Sequence, residues 1–312
     1  MKLVICNHLA DEYHRMVRER FPQVEVAAGK TGEIVWQQIE DAEVLLAWKF
    51  PIEALERARK LRWIQCTGAG IEHLLPGREQ LRDVVVTNAR GIHADVMADY
   101  TFGAMVMLQW NFPRLFREQQ ARRWQHRFTE PLAGKTIGVI GLGSIGREIA
   151  RRGPGFGMTV LGVKRSPGPV EGVSRVVGPD RVREVLPACD FVVLVLPGTA
   201  QTRHLVGEPE LRAMKRTASL INIGRGSVVD EPALVRALQG GWIAGAALDV
   251  FEQEPLPAES PLWAMENVII TPHIAGEPAG YDRRVMEIFA DNLARWTKGD
   301  PLRNVVDLDR GY

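Results

Sequence analysis

The chain has 312 residues, 46% apolar and 25% charged, with a formal net charge of +1. That balance describes a compact globular protein and excludes disordered and fibrous classes, and the scattered basic residues form no nucleic-acid or anionic-membrane surface, which leaves small molecules as the expected partners. The length exceeds what one core usually supports, so two domains sharing a cleft are expected, with one long domain as the alternative.

In chain order, MKLVIC enters a strand directly, without the charged, apolar and small-residue succession of a leader peptide. Short apolar, β-branched runs follow at LVIC (3 to 6), VEVAA (24 to 28), VLLAW (44 to 48), WIQCT (63 to 67) and VVVTN (84 to 88). Such runs are strands buried on both faces, and the spacers fit crossover helices, which predicts a parallel sheet with helices on both sides. From Ala94 to Trp124 the rhythm becomes one long helical stretch that Pro113 should interrupt, suited to a helix crossing between domains. After PLAGK, the runs TIGVIG (136 to 141), TVLGV (159 to 163), FVVLVLP (191 to 197), SLINIG (219 to 224), GAALDV (245 to 250) and NVIITPH (267 to 273) predict a second, larger doubly wound sheet. A last helix from about Tyr281 to Trp296 precedes a polar tail ending in NVVDLDRGY, with no added regulatory domain. No apolar run approaches the roughly 18 residues of a membrane span. Cys6, Cys66 and Cys189 have neither disulfide nor metal spacing and read as buried thiols. A cytoplasmic protein without metal or membrane attachment is expected.

Directly after TIGVI stands Gly141-Leu142-Gly143-Ser144-Ile145-Gly146, opening into the helical REIARR. In that context the first glycine turns the chain off the strand, the second lets backbone approach a pyrophosphate, and the third permits helix–strand packing, while the helix N-terminus offers amides to phosphate. Glycines in a plain tight turn are the competing reading; the strand–loop–helix setting favours dinucleotide binding. The next strand runs into Lys164-Arg165-Ser166, where an NAD-binding version carries an acidic residue on the ribose hydroxyls. An ammonium, a guanidinium and a hydroxyl would instead attract a 2′-phosphate, so NADP(H) is expected over NAD(H), unless these are solvated loop charges. The helix after the loop must end at Gly153-Pro154-Gly155, for which the sequence offers no functional reason.

The segments RWIQCTGAGIEHLL, TNARGIHADVMADY, KTIGVIGLGSIG, LPGTAQTRHLVG, INIGRGSVVDEPAL, ALDVFEQEPLPAESPLW and NVIITPHIAG span nearly the whole chain. Together they resemble the D-isomer-specific 2-hydroxyacid dehydrogenase family, most of all its glyoxylate/hydroxypyruvate reductase branch. The resemblance implies two doubly wound α/β domains, with a Rossmann cofactor domain (100 to 276) inserted into a discontinuous flavodoxin-like substrate domain (1 to 99 and 277 to 312). It implies that the substrate-binding arginine is Arg225 of INIGRG, the glutamate is Glu254 of FEQEP, and the acid/base histidine is His273 of TPHIAG. The chemistry needs these types: Arg225 can grip a 2-oxo acid's carboxylate through paired charge-assisted bonds, and a protonated His273 can donate to the oxygen that gains charge. Glu254 on the other ring nitrogen would hold the tautomer.

By the same resemblance Pro197, Thr202, Ile223, Gly224, Asp249 and Gly276 line the cofactor, although Pro197, Thr202 and Asp249 could serve only the fold. LPGT departs from the family's commoner LPLT, removing a side chain from the cofactor wall. Ala69 and Gly70 of the loop Thr67–Gly70 could bind the substrate carboxylate with backbone amides opposite Arg225, or form a plain turn. Trp48 and Trp124 could wall the substrate or serve packing, and Lys49 could favour a second anionic or polar group. The resemblance also implies a homodimer, through the helical region from Ala94 onward. Phosphoglycerate, formate or phosphite enzymes and a cofactor-sensing corepressor are the competing functions; the glutamate in FEQEP, where formate enzymes carry glutamine, disfavours formate.

Overall fold

The computed structural model describes residues 1–311. The first sheet is built from β1 (Lys2–Cys6), β2 (Glu25–Gly29), β3 (Val44–Ala47), β4 (Trp63–Cys66) and β5 (Val85–Thr87), all parallel in the order β2-β1-β3-β4-β5. Successive strand residues face opposite sides. Leu3, Ile5, Val44, Leu46 and Trp63 therefore join one apolar cluster, and Val4, Leu45, Ala47 and Ile64 the other. This two-sided burial is why the strands read as unbroken apolar runs; each large side chain so buried contributes about 1.5–3 kcal/mol. The crossovers include α1 (Ala10–Arg20) and α2 (Glu33–Gln38).

The second sheet follows α3 (Ala94–Gln109) and α4 (Phe112–Gln120). Its strands and helices are β6 (Thr136–Ile140), α5 (Ser144–Arg152), β7 (Thr159–Val163), β8 (Arg175–Val177), β9 (Phe191–Leu194), α6 (Glu208–Ala213), β10 (Ser219–Asn222), α7 (Glu231–Gln239), β11 (Gly245–Leu248) and β12 (Val268–Ile270). The seven strands are parallel in the order β12-β11-β10-β9-β6-β7-β8. The winding reverses between β6 and β9, the place where an open α/β sheet takes its ligand. The chain closes with α8 (Tyr281–Lys298), whose Val285, Phe289 and Leu293, spaced four apart, join Tyr13 and Trp63 in the core of the first sheet.

By proximity of their backbones the residues divide into two units, one of Met1–Ile92 with the segment from Ala279 onward, the other of His93–Pro278. No helix among the described residues is long and apolar enough to cross a membrane. The three cysteines are free and buried.

Three details differ from the sequence reading. The helical stretch breaks at Asn111, not at Pro113: Asn111 is left-handed at φ 53, and its side chain accepts from the Arg114 amide. Pro113 sits in the first turn of α4, where a missing N–H costs nothing. Residues 121–124, which the sequence pattern places in the helix, carry neither helix nor strand. The edge strand β8 was not anticipated, because RVV is too short to show a period. Gly153 also gains a reason: a Cβ there would stand 2.5 Å from Val160 Cγ2, so the end of α5 lies directly on β7.

Candidate active site

The glycine loop leaves β6 as expected. Gly141 is at φ 111, and a Cβ on it would meet Val195 O at 2.4 Å, so both conformation and space require glycine. A Cβ on Gly146 would meet Gly141 O at 1.9 Å, which is how α5 closes onto its own loop. Gly143 differs: its φ of −75 suits any residue, and a Cβ would meet no protein atom within 4 Å. Protein packing does not explain a glycine there; close approach by a ligand does. Gly143 is also the N-cap of α5 and provides no side-chain cap, so the amides of Ser144, Ile145 and Gly146 have no intrahelical acceptor. The residues thus fit a dinucleotide pyrophosphate.

β7 lies beside β6 and ends at Lys164-Arg165-Ser166. The Lys164 amide is spent on Val177 O of β8, 3.1 Å away, which fixes the backbone, while Arg165 and Ser166 are exposed.

On the other side of the switch point, Arg225, Glu254 and His273 follow β10, β11 and β12, three adjacent strands. Asn222 holds the first turn, donating to Arg225 O at 3.0 Å and accepting from the Gly224 amide at 3.1 Å. Gly224 itself is buried so closely that a Cβ would meet Leu196 O at 2.6 Å, and neighbouring Ile223 is in the core. Gly226 brings this turn against the next: its Cβ would stand 1.9 Å from the carbonyl carbon of Phe251. Glu254 then uses both oxygens, Oε1 accepting the Phe251 amide at 3.0 Å and Oε2 lying 2.7 Å from His273 Nδ1. A carboxylate acceptor requires the proton on Nδ1, which leaves Nε2 as the working nitrogen. About half of the His273 side chain, 49%, is exposed, and its backbone is left-handed at φ 56.

Asp249 explains that turn. It is 1% exposed, and its Oδ1 accepts from the Thr271 hydroxyl (2.6 Å) and the Ile274 amide (3.0 Å), its Oδ2 from the Ala275 amide (2.9 Å). Because the Thr271 proton goes to Asp249, Tyr100 Oη must be the donor in its 2.8 Å bond to Thr271. Burial pushes the Tyr100 phenol up to about 12, which keeps it a donor. The carboxylate of Asp249 is thus engaged in shaping the turn that presents His273. Thr202 likewise closes its own loop, donating to Pro197 O at 2.6 Å and accepting from the Thr199 amide at 2.9 Å. Gly198, the departure from LPLT, abuts Arg225: a Cβ would lie 3.3 Å from Arg225 Cγ. Gly276 is half-buried beside Met97. Asn222, Gly226, Thr271 and Tyr100 were not singled out from sequence; their roles depend on which strands are neighbours.

In the first unit, Trp48 packs against the loop after β4, since a Cβ on Gly68 would fall 1.8 Å from Trp48 Cζ3. The His73 ring backs the indole at 5.3 Å, and burial, opposed by Glu72 and reinforced by Lys49, holds its pKa below the usual imidazole value. Lys49 is exposed, with Nζ 6.0 Å from the Trp48 ring. The loop's carbonyls are spent, Thr67 O on Tyr281, Gly68 O on the Ala89 amide and Ala69 O on Asn88. Among the described residues, the amides of Ala69 and Gly70 donate to no backbone carbonyl. Trp124 is 99% exposed, so it is not a packing residue of this chain.

Residues 102–275 match a family model described as D-isomer specific 2-hydroxyacid dehydrogenase, NAD binding domain. A glyoxylate reductase of Korarchaeum cryptofilum is 35% identical over 90% of this chain and 87% of its own length. A D-3-phosphoglycerate dehydrogenase of Methanocaldococcus jannaschii is 32% identical over 99% of this chain, which spans 60% of that protein. Among solved structures, an NADPH-dependent glyoxylate/hydroxypyruvate reductase of Sinorhizobium meliloti in complex with NADP and sulfate superposes with a TM-score of 0.87, at 28% identity, over 100% of this chain and 99% of the other.

Proposed function

Since this chain belongs to the D-isomer specific 2-hydroxyacid dehydrogenase family and is an NAD(P)-dependent oxidoreductase, we propose that it is an NADPH-preferring reductase of small 2-oxo acids of the glyoxylate/hydroxypyruvate type. The observation that carries the reading is the pairing of Glu254 with His273 Nδ1, on the strand ends next to Arg225. The likeness in sequence to glyoxylate reductases and the NADP complex of the Sinorhizobium relative support it.

Gly141, Gly143 and Gly146, with the amides of Ser144, Ile145 and Gly146, would hold the pyrophosphate; Lys164, Arg165 and Ser166 would hold the 2′-phosphate. Pro197, Ile223, Gly224 and Gly276 would line the nicotinamide half, with Thr202 and Asp249 acting through the turns they shape. When bound, the nicotinamide supplies the hydride. Arg225 binds the substrate carboxylate through two parallel N–H···O bonds and draws charge from the adjacent carbonyl. His273 Nε2–H donates its proton to the carbonyl oxygen as that oxygen becomes an alkoxide, and the Glu254 carboxylate balances the imidazolium. We also assign substrate binding to Ala69, Gly70 and Trp48 of the first unit, on the family resemblance of their segments.

The homodimer belongs to the same proposal. Trp110 and Phe116, 43% and 47% exposed, lie along the region from Ala94 onward, and Trp124 and Phe128, 99% and 97% exposed, continue it. So much bare aromatic surface on one stretch is what a second copy would cover, and sedimentation at micromolar concentration tests it.

The function is tested by a panel of glyoxylate, hydroxypyruvate, pyruvate, phosphohydroxypyruvate and bulkier 2-oxo acids, each with NADPH and NADH. Reduction of glyoxylate or hydroxypyruvate with higher kcat/KM for NADPH is expected. No oxidation of either cofactor with any acid would overturn the reading.

A further inference from the structure

His204 has no part in the chemistry above, yet three loops of the second unit meet on it. Its amide donates to Ser227 O at 2.8 Å, two residues beyond Arg225. Its Nε2 pairs with Glu252 Oε1, two residues before Glu254. Its own segment is the cofactor-wall loop that Thr202 closes through Pro197 O at 2.6 Å. To make these bonds its backbone takes the left-handed conformation, φ 51, which costs a side-chain-bearing residue something in its own right. In the turn it grips, Phe251 is buried in the core and packed on Gly226, while Glu252 is exposed and its amide donates to Glu231 Oε2 at 3.1 Å; the Phe251 amide donates to Glu254 itself. Any shift of Phe251–Glu252 therefore passes to Glu254, and from Glu254 to His273 Nδ1.

We propose that His204 is a positioning residue for the reduction, setting the spacing between the turn that carries Arg225 and the turn that carries Glu254 through Ser227 O and the Glu252 carboxylate. This rests on the proposed roles of Arg225, Glu254 and His273. A purely stabilising role is the competing account, and exposure decides against it: the paired side chains are 38% and 29% exposed, and a pair so open to solvent adds little to stability. Misplacing reacting groups by about 1 Å, in contrast, can cost on the order of 100-fold in rate. Losing the ring should therefore impair turnover far more than folding.

The test compares His204→Ala, His204→Gln, Glu252→Gln and the double variant His204→Ala/Glu252→Gln in NADPH-dependent reduction of the best 2-oxo acid, with melting temperatures and NADPH affinity measured in parallel. His204→Ala should lower kcat roughly 10-fold or more, with Tm within about 4 °C of wild type and NADPH affinity nearly unchanged. His204→Gln, whose amide can still donate to Glu252, should recover most of the loss. The double variant should be no worse than His204→Ala, because the two side chains act through one bond. An unaltered kcat in His204→Ala, a loss that follows Tm, no recovery in His204→Gln, or additive losses in the double variant would each overturn the proposal. A wild-type chain that reduces no 2-oxo acid would overturn the functional reading first, and the proposal with it, which separates the two failures.

Discussion

Glu254 Oε2 stands 2.7 Å from His273 Nδ1, while the other oxygen of the same carboxylate accepts the Phe251 amide at 3.0 Å. One side chain thus closes its own turn and sets which histidine nitrogen carries the fixed proton. The rigidity of the first bond transmits to the second, because a carboxylate held at one oxygen has little freedom to swing at the other.

Glu254→Gln keeps the size and the turn but removes the charge that favours the imidazolium. Reduction should slow by about 10- to 100-fold, at or below the low end of what a positioned acid–base group itself contributes, because Glu254 acts through His273. Steady-state kcat and kcat/KM, taken beside an unchanged Tm, check this.

The cationic end of β7 should decide the cofactor. A charge-assisted hydrogen bond contributes about 1.5–3 kcal/mol, so Arg165→Ala should raise KM for NADPH by roughly 10-fold or more, leaving NADH within about threefold. Lys164→Ala should act in the same direction. Steady-state kinetics with both cofactors reads the ratio; equal effects on NADPH and NADH would remove these residues from 2′-phosphate recognition.

Gly143 and Gly146 should separate ligand approach from packing. In Gly146→Ala the new Cβ would lie 1.9 Å from Gly141 O, so the loop or the helix must move, at a cost of about 1–3 kcal/mol. Gly143→Ala meets no protein atom and should lose no more than about 1 kcal/mol as an N-cap change, yet weaken NADPH binding markedly. Thermal unfolding and cofactor titration of the two variants together check the contrast.

Buried thiols should lower stability at alkaline pH. Burial pushes Cys66 up to about 12, and Cys189 likewise to about 12, with Lys215 opposing it only in part. Below about pH 8.5 folded and unfolded chains both hold these protons. Above it the unfolded chain releases them and the folded chain does not, so stability falls as pH rises, by up to roughly 1.4 kcal/mol per pH unit for each thiol until about pH 12. Denaturant unfolding across that range should show the slope, and Cys66→Ala with Cys189→Ala should reduce it, most clearly below about pH 10, where buried phenols such as Tyr100 do not yet contribute.

Much of the fold was legible in sequence because parallel strands buried on both faces leave contiguous apolar runs, and Leu3–Cys6, Val44–Ala47 and Phe191–Leu194 are such runs. The phosphate loop was legible because Gly141 and Gly146 answer to local geometry, a positive φ and a helix folding back on its own strand. The edge strand β8 and the break at Asn111 were not, since three residues show no period and an asparagine enters the left-handed region only where its surroundings hold it.

By itself, then, the sequence determined the alternation of strand and helix, the loop after β6, the cationic end of β7 and the residue types at 225, 254 and 273, because each is a matter of neighbours along the chain. Only the tertiary structure decided that Glu254 reaches His273, that Gly226 lies under Phe251, that Asp249 spends its carboxylate on the turn of His273, and that His204 joins three loops. Those are relations between residues up to 48 positions apart, as in the pair His204 and Glu252. They exist because β9, β10, β11 and β12 are neighbours in the sheet, and strand order is fixed by packing rather than by the spacing of residues along the chain.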